Sequence, residues 1–334
     1  MDQLTAQSAK IAPIAQAVID GRQVDREEAL YLLQVPPEKR YELFYWANHI
    51  RQHYFGPKIS LCAIVSARTA GCPEDCRFCA QSAHYSTNII PHFCELDELL
   101  AAARAAQELQ AHSFGIVTSG RRLSDADFER LSPVFSTIAQ EGKIECCASL
   151  GFLSAQQAQY LYALGVRRYN HNLETSRNYF PQIVSTHTYD DRIATIRAAQ
   201  KAGLHVCCGG IIGMGESPAD RVDLALALRD LDVDSVPINF LHPIPGTPME
   251  KYPILAPMTA LQTIAMFRFV LPEKQIKIAG GREKCLRDLQ SWMFFAGANA
   301  TMIGNYLTTK GRSAADDFQM LADLELEPNK SKAP

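Results

Sequence analysis

The residues best suited to chemistry are three cysteines in "GCPEDCRFC", residues 71–79. Cys72, Cys76 and Cys79 follow a C-x3-C-x2-C spacing, short enough for the backbone to wrap one centre and turn three thiolates on it. Two metals compete for such a loop. Structural zinc sites are closed and tetrahedral, so zinc would require a fourth ligand, for which His84 and Cys94 are the nearest candidates. An iron–sulfur cube normally takes four cysteines, and three leave one iron with an open position. A small molecule with an amino and a carboxylate group can fill that position, which makes the vacancy a substrate site. The chain has 10 cysteines in 334 residues, too large and too apolar for a secreted disulfide scaffold. In a reducing compartment cysteines serve packing, metal ligation or catalysis, and packing is the default for those outside the loop.

Further polar groups sit in short apolar surroundings. Asn170 and Asn172 flank His171 in "YNHNLETS", and Asn239 ends "PINF". Each amide can bond neighbouring backbone or a ligand. Gly209, Gly210 and Gly213 suit bends in a strand, and a glycine-rich run alone does not mark a site. His84 and His242 carry no assigned role.

These residues need a scaffold. Residues 1–57 have apolar positions at helical spacing through "IAPIAQAVI", "REEALYLLQV" and "YELFYWANHI". After "FGPK" the pattern changes to β-rich runs: "ISLCAIV", "SFGIV", "ECCASL", "VRRYNHN", "LHVCCGGII", "SVPINFL", "QIKIAG" and "ATMIGN". Amphipathic segments separate them. One has Ser154 as N-cap and Gly165 past its end; another has Ser217 as cap and Pro218 at the first helical position. Alternation of this kind over residues 58–304 predicts an α/β fold, a (β/α)8 TIM-type barrel. A doubly wound open sheet is the competing fold, but no Gly-rich phosphate turn follows the first strand. The expected organisation is an N-terminal helical extension (1–57), the barrel (58–304) and a C-terminal tail packing on it (305–334), with the terminal "KSK" solvated. Barrel chemistry sits in the loops leaving the carboxyl ends of the strands. The cysteine loop follows strand one, "NLETS" strand four, "GMGES" strand five, "HPIPGTP" strand six and "GGRE" strand seven.

Composition excludes several partners. A net charge of −3 and a pI near 6.3 give no basic stripe for nucleic acid. No apolar run approaches the roughly 20 residues that span a bilayer, and the first residues lack a secretory pattern. The chain reads as soluble and cytoplasmic.

At the cysteine loop, with Phe78 as the aromatic before the last cysteine, the sequence resembles the radical S-adenosylmethionine enzymes. That resemblance implies a [4Fe-4S] cluster on Cys72, Cys76 and Cys79. Its open iron chelates S-adenosylmethionine, which one-electron reduction cleaves to a 5′-deoxyadenosyl radical. "GCPEDCRFCAQSAHY", "YNHNLETS", "GGIIGMGE", "SVPINFL", "GTP", "GGRE" and "AGAN", in that order over residues 71–300, are similar to the members that insert sulfur into dethiobiotin to form biotin. Methylornithine-forming and hydrogenase-maturation members remain open, as does a non-catalytic iron–sulfur carrier. The resemblance implies S-adenosylmethionine contacts from Phe78, Gly209, Gly210 and Glu174, and substrate contacts from Asn172 and Asn239. An electron donor such as flavodoxin or ferredoxin and a homodimer are also implied. So is a second, auxiliary cluster, [2Fe-2S] by family habit, held by Cys147, Cys207 and Arg282. The strand-two cysteine of that set is replaced here by Gly115, and Cys62 is the expected substitute. Side-chain alternation points Cys146 and Cys208 outward.

The physical chemistry agrees with a radical enzyme. An unactivated C–H bond yields to a radical carrier, not to a positioned acid or base, and the radical needs a cavity closed to side reactions.

Overall fold

The structure is a computed structural model that describes residues 10–307, 309 and 311–329; the terminal "KSK" lies outside the described residues. Eight parallel strands follow one another around a closed barrel: β1 (Lys58–Thr69), β2 (Ser113–Thr118), β3 (Glu145–Ser149), β4 (Arg168–Asn170), β5 (His205–Cys207), β6 (Ser235–Phe240), β7 (Gln275–Ile278) and β8 (Ala300–Met302). The ring closes where Ser60, Leu61 and Cys62 of β1 pair with Ala300, Thr301 and Met302 of β8. These are the eight runs expected from the sequence. The residues Gly210–Ile212 continue past β5 and lie alongside β6.

Among the described residues three α-helices precede the barrel, α1 (Ile11–Ile19), α2 (Arg26–Leu33) and α3 (Arg40–Phe55). They dock on its outer wall: Gln262 donates to the carbonyls of Leu32 and Val35, and Arg26 pairs with Asp223. Between the strands run α4 (Leu96–Glu108), α5 (Asp125–Glu141), α6 (Ala155–Ala163), α7 (Tyr189–Lys201), α8 (Pro218–Asp230) and α9 (Pro257–Val270). Two short helices, α10 (Arg282–Leu286) and α11 (Trp292–Phe295), lie between β7 and β8.

Local chemistry fixes where these helices start. The Ser154 hydroxyl accepts from Gln157 N–H while Gln157 returns a bond to the Ser154 backbone, and Ser217 and Asp220 do the same ahead of Pro218. Ser217→Ala removes one such cap and should cost about 1 kcal/mol of stability. Urea unfolding of the two proteins reads that loss, and coincident midpoints would show that Pro218 and Asp220 start the helix unaided.

The pleat sorts the cysteines. Gly115 is in register with Ile64 on one side and Cys147 on the other, Cys147 with Arg168, and Asn170 with Cys207. Cys146 and Cys208 pack into the apolar layer between strands and helices, as alternation requires. Cys62 instead sits inside with Ala279 and Met302.

The segment after 304 is more than a polar tail. It passes the barrel mouth, forms α12 (Ala314–Asp323), and then adds Glu327–Pro328 beside Lys58–Ile59 at the start of β1.

Candidate active site

The cysteine loop leaves β1 through two left-handed residues, Ala70 (φ 59°) and Gly71 (φ 65°). Backbone bonds then close it on itself: Cys72 N–H to Gln81 O at 3.0 Å, Ala83 N–H to Cys72 O at 2.7 Å, and Cys79 N–H to Cys76 O at 2.9 Å. Its acidic residues bind the distant loop 182–187. Asp75 accepts from Ser185 and Thr186, and Glu74 from Thr186 and His187. Burial works against the Asp75 carboxylate, but the Ser185 and Thr186 bonds outweigh it and hold the group at about 2. Arg192 continues the chain of contacts, its Nε donating to His187 Nε2 at 3.0 Å and another guanidinium N–H to Asn172 O at 2.8 Å.

Burial raises the Cys79 thiol to about 11, with Cys72 and Glu174 adding to it; burial likewise raises Cys76, where Cys79 and Cys72 contribute. The donor set is three sulfurs at a loop mouth. The two residues considered as a fourth zinc ligand are engaged elsewhere. His84 is bonded to Pro73 O at 2.9 Å, and Cys94 groups with His92 and Glu98, their ligand atoms within 4.8 Å of one another. Three sulfurs without a fourth protein donor fit an iron–sulfur cube with one open iron.

A cavity of about 330 Å³ runs from this loop into the barrel. Phe78 and Cys79 border its upper end, Asn170, Asn172 and Asn239 its wall, and Cys207 and Lys277 its lower end. Asn172 donates to Glu174 Oε2 at 3.4 Å and accepts from Gly209 N–H at 3.1 Å; Asn239 donates to Gly210 O at 3.3 Å and accepts from Gly280 N–H at 2.9 Å. Glu174 is buried in the left-handed region (φ 70°), its carboxyl raised by burial against the pull of Arg192 at 3.6 Å. A side-chain residue held there is a strain that functional sites commonly carry.

Gly209 and Gly210 have a steric reason of their own. A Cβ on Gly209 would lie 1.9 Å from Pro237 O, and one on Gly210 2.4 Å from Glu174 O. They let β5 and β6 approach and bring Asn172 and Asn239 to the same wall. Neither borders the cavity, whereas Ile211 does.

At the lower end, electrostatics ties Cys62, Cys147 and Cys207 to one place. Burial pulls the Lys277 ammonium down, but Cys207, Cys62 and Cys147 outweigh it and hold the amine well above its usual range. The same three thiols, with Glu145 foremost, hold Arg168 up against burial. Cys147 is itself raised by burial. Lys277 Nζ donates to Cys62 Sγ at 3.5 Å, and Arg168 pairs with Glu145 at 3.0 Å. Cys62, Cys147 and Cys207 thus converge electrostatically on Lys277 and Arg168, a sulfur donor set of the kind that a second iron–sulfur group takes. Gly115 faces the same interior, where an added Cβ would come within 3.2 Å of Ile64 and 3.9 Å of Asn170.

Arg282 is not part of that convergence. Its guanidinium donates to Asp317 at 2.6 Å, Thr301 at 3.1 Å and Tyr306 at 3.2 Å, and it does not border the cavity. The chain turns at Gly281 (φ 81°) into α10, and that turn carries Arg282 away from the strand interior.

Sequence reading missed three participants, Lys277, Arg168 and Tyr306, and named Asn170 without a role. Lys277 and Arg168 are inward charges on apolar strands. Asn170 borders the cavity with a buried Oδ1 that has no hydrogen-bond partner. Tyr306 borders the mouth and donates to Glu283 at 2.9 Å. The period-two pattern of "RYNHN" was the available signal, since it places Arg168, Asn170 and Asn172 on one face.

Comparison with known proteins now bears on this geometry. The Radical SAM superfamily matches residues 67–228, and the Biotin and Thiamin Synthesis associated domain matches residues 237–327. Biotin synthase of Carboxydothermus hydrogenoformans is 48% identical over 321 residues, covering 95% of this chain and 99% of that protein. The biotin synthase of Geotalea daltonii is 49% identical over 316 residues, covering 94% and 96%. Among solved structures, methylornithine synthase superposes with a TM-score of 0.82 at 19% identity, over 95% of this chain and 97% of the other. A maturase of the [FeFe]-hydrogenase gives 0.84 at 17%, over 98% and 77%. At such identities the two structures show the shared fold alone.

Proposed function

The chain belongs to the biotin synthase family, and from this membership we propose how its residues divide the work of forming biotin from dethiobiotin. It is a radical S-adenosylmethionine sulfurtransferase. When bound, the [4Fe-4S] cluster with S-adenosylmethionine supplies a hydrogen-abstracting radical, and an auxiliary cluster supplies sulfur. Cys72, Cys76 and Cys79 would hold the first; Cys62, Cys147 and Cys207 would hold the second. The [2Fe-2S] type is the family habit carried over.

The residues between them bind and orient. Phe78 and Glu174 would flank S-adenosylmethionine, and Gly209 and Gly210, set behind the lining, would position Ile211 and the wall against which it lies. Asn172 and Asn239 spend part of their hydrogen-bonding capacity on backbone. An amide has two donors and two lone pairs, so each retains capacity for the ureido N–H and C=O of dethiobiotin. The partnerless Asn170 Oδ1 is an acceptor for the same ring. Ile64, Val117, Ile211 and Met302 line the remainder with apolar surface and exclude water.

A single observation carries this reading: one cavity reaches from Cys79 and Phe78 to Cys207. The test is anaerobic reconstitution followed by S-adenosylmethionine, dethiobiotin and dithionite or flavodoxin. Biotin and 5′-deoxyadenosine are expected together, and cluster-loaded protein that yields neither would refute it.

The reading extends to a flavodoxin- or ferredoxin-class donor in the cytoplasm, and to a homodimer. Among the described residues no helix is long and apolar enough to cross a membrane. An aromatic patch of Tyr41, Tyr45, Trp292 and Phe295, with both tyrosines more than 60% exposed, supports the dimer.

A further inference from the structure

A second set of metal-binding side chains comes together on the outside of the barrel. His92, Cys94 and Glu98 bring their ligand atoms within 4.8 Å of one another. None of the three borders the cavity, so the set is separate from the biotin-forming site. The course of the chain explains the meeting. His92 and Phe93 pair antiparallel with Thr69 and Arg68 at the end of β1. Side chains alternate along such a ladder. Phe93 turns to one face, under the Arg130 guanidinium at 4.2 Å, and His92 and Cys94 share the other. Glu98 lies in the first turn of α4, which begins two residues after Cys94.

Each residue is held in place yet keeps a donor atom for a metal. Cys94 is fixed by its backbone N–H, which donates to Ala67 O at 2.8 Å, while its thiol donates to Ser66 O at 3.4 Å. Glu98 spends Oε2 on the Glu95 N–H at 2.7 Å, which closes the capping box of α4. Its Oε1 faces His92 Nε2 at 3.7 Å. Tetrahedral zinc, with bonds of about 2.0–2.3 Å, sets its donor atoms roughly 3.3–3.7 Å apart. The His92 and Glu98 side chains are half-exposed, so small rotations close the remaining gap. Burial raises the Cys94 thiol, and Glu98 and Glu95 add to it, so the sulfur keeps its proton until a metal displaces it. A cleft of about 570 Å³ that His92 shares with Thr69, Gly71 and Arg121 gives an entry path.

We propose that His92 Nε2, Cys94 Sγ and Glu98 Oε1 form a binding site for Zn²⁺, with water in the fourth position. The sulfur and the imidazole select a borderline metal over Mg²⁺ or Ca²⁺, which take oxygen ligands. Glu98 alone would mark nothing, because an exposed carboxylate is an ordinary surface group. On binding, the Cys94 S–H bond breaks, a zinc–sulfur bond forms and one proton leaves to solvent, with no change of oxidation state. The bound ion ties the pairing at the end of β1 to the start of α4. It thereby clamps the junction through which the chain returns from the cysteine loop to the barrel wall.

The experiment uses the full chain with its iron–sulfur clusters reconstituted, so that the cluster cysteines are occupied, equilibrated anaerobically with Zn²⁺. Zinc and iron are counted per chain across a zinc titration, and X-ray absorption at the zinc edge reads the neighbours of the bound ion. Wild-type protein should hold one zinc with its iron undiminished, the ion carrying a single sulfur at about 2.3 Å and nitrogen and oxygen at about 2.0–2.2 Å. Cys94→Ser should lose the sulfur neighbour. Its zinc affinity should fall by at least the roughly 10- to 100-fold that changes behind a ligand cost. Glu98→Gln keeps an oxygen for the Glu95 N–H and should weaken zinc with α4 intact, which keeps the test open should Cys94→Ser fold poorly. His84→Ala should bind as wild type does. Equal zinc affinity in wild type, Cys94→Ser and Glu98→Gln would overturn the proposal. So would zinc surrounded by several sulfurs with iron lost, which would place the ion in a cluster site, or wild-type protein that retains no zinc.

Discussion

Cys76→Ala should abolish 5′-deoxyadenosine formation and remove the loop cluster. Cys76 is 8% exposed in a loop closed by its own backbone bonds and fixed to the 182–187 loop by Arg77 N–H to Ile183 O at 3.0 Å. Cys72→Ala and Cys79→Ala should behave alike, since two thiolates cannot hold the cube that three hold with one iron open. A graded loss is expected one step out. Glu74 accepts from Thr186 and His187 behind the loop, and Glu74→Gln should lower iron affinity roughly 10- to 100-fold, as changes behind metal ligands typically do. Cys208→Ala is the control, because that thiol packs on the helix side of the sheet. Iron content and 5′-deoxyadenosine are read from the same samples. Wild-type turnover in Cys76→Ala would show that S-adenosylmethionine is cleaved elsewhere.

Arg282→Met should cost roughly 3–5 kcal/mol of stability, the usual penalty for stranding one member of a buried pair. Arg282 and Asp317 are both about 1% exposed and meet at 2.6 Å. The effect belongs to folding, not to the floor cluster: protein that remains folded should retain its auxiliary iron. Adding Asp317→Leu should recover part of the loss, since apolar replacement of both partners of a buried pair is often neutral. Denaturant unfolding and iron analysis on the same preparations separate the possibilities. Full stability with the floor iron gone would instead return Arg282 to the ligand role that the family resemblance implied.

The strands and helix starts were legible because they depend on near neighbours. Eight apolar runs, Ser154 and Ser217 as caps, and the outward parity of Cys146 and Cys208 all follow from residues a few positions apart. The cysteine loop was equally readable, since its three cysteines lie within eight residues of chain. The remainder depends on distant partners. Glu74 meets His187 across 113 positions, and Arg282 meets Asp317 across 35. Nothing in "GGRE" says that the chain has turned out of the barrel one residue before the arginine. A buried lysine is rare enough that residue type alone argues against placing Lys277 inside the barrel. Its neighbours in "QIKIAG" do not show that three thiols face it.

The barrel's seam joins its first strand to its last. β1 and β8 share three register pairs, whereas β1 and β2 share six. The segment after β8 covers this seam, anchored at the mouth through Tyr306 and Asp317 and at the base through Glu327 and Pro328. During synthesis, β1 must therefore wait for more than 230 further residues before its second neighbour exists. At about 5–20 residues per second, that is on the order of ten seconds to most of a minute with an open sheet. Through that interval Cys62 borders an unclosed sheet and can be oxidised or can capture stray metal. Loading of iron into the floor is thus safest after release of the finished chain, which places cluster delivery downstream of translation.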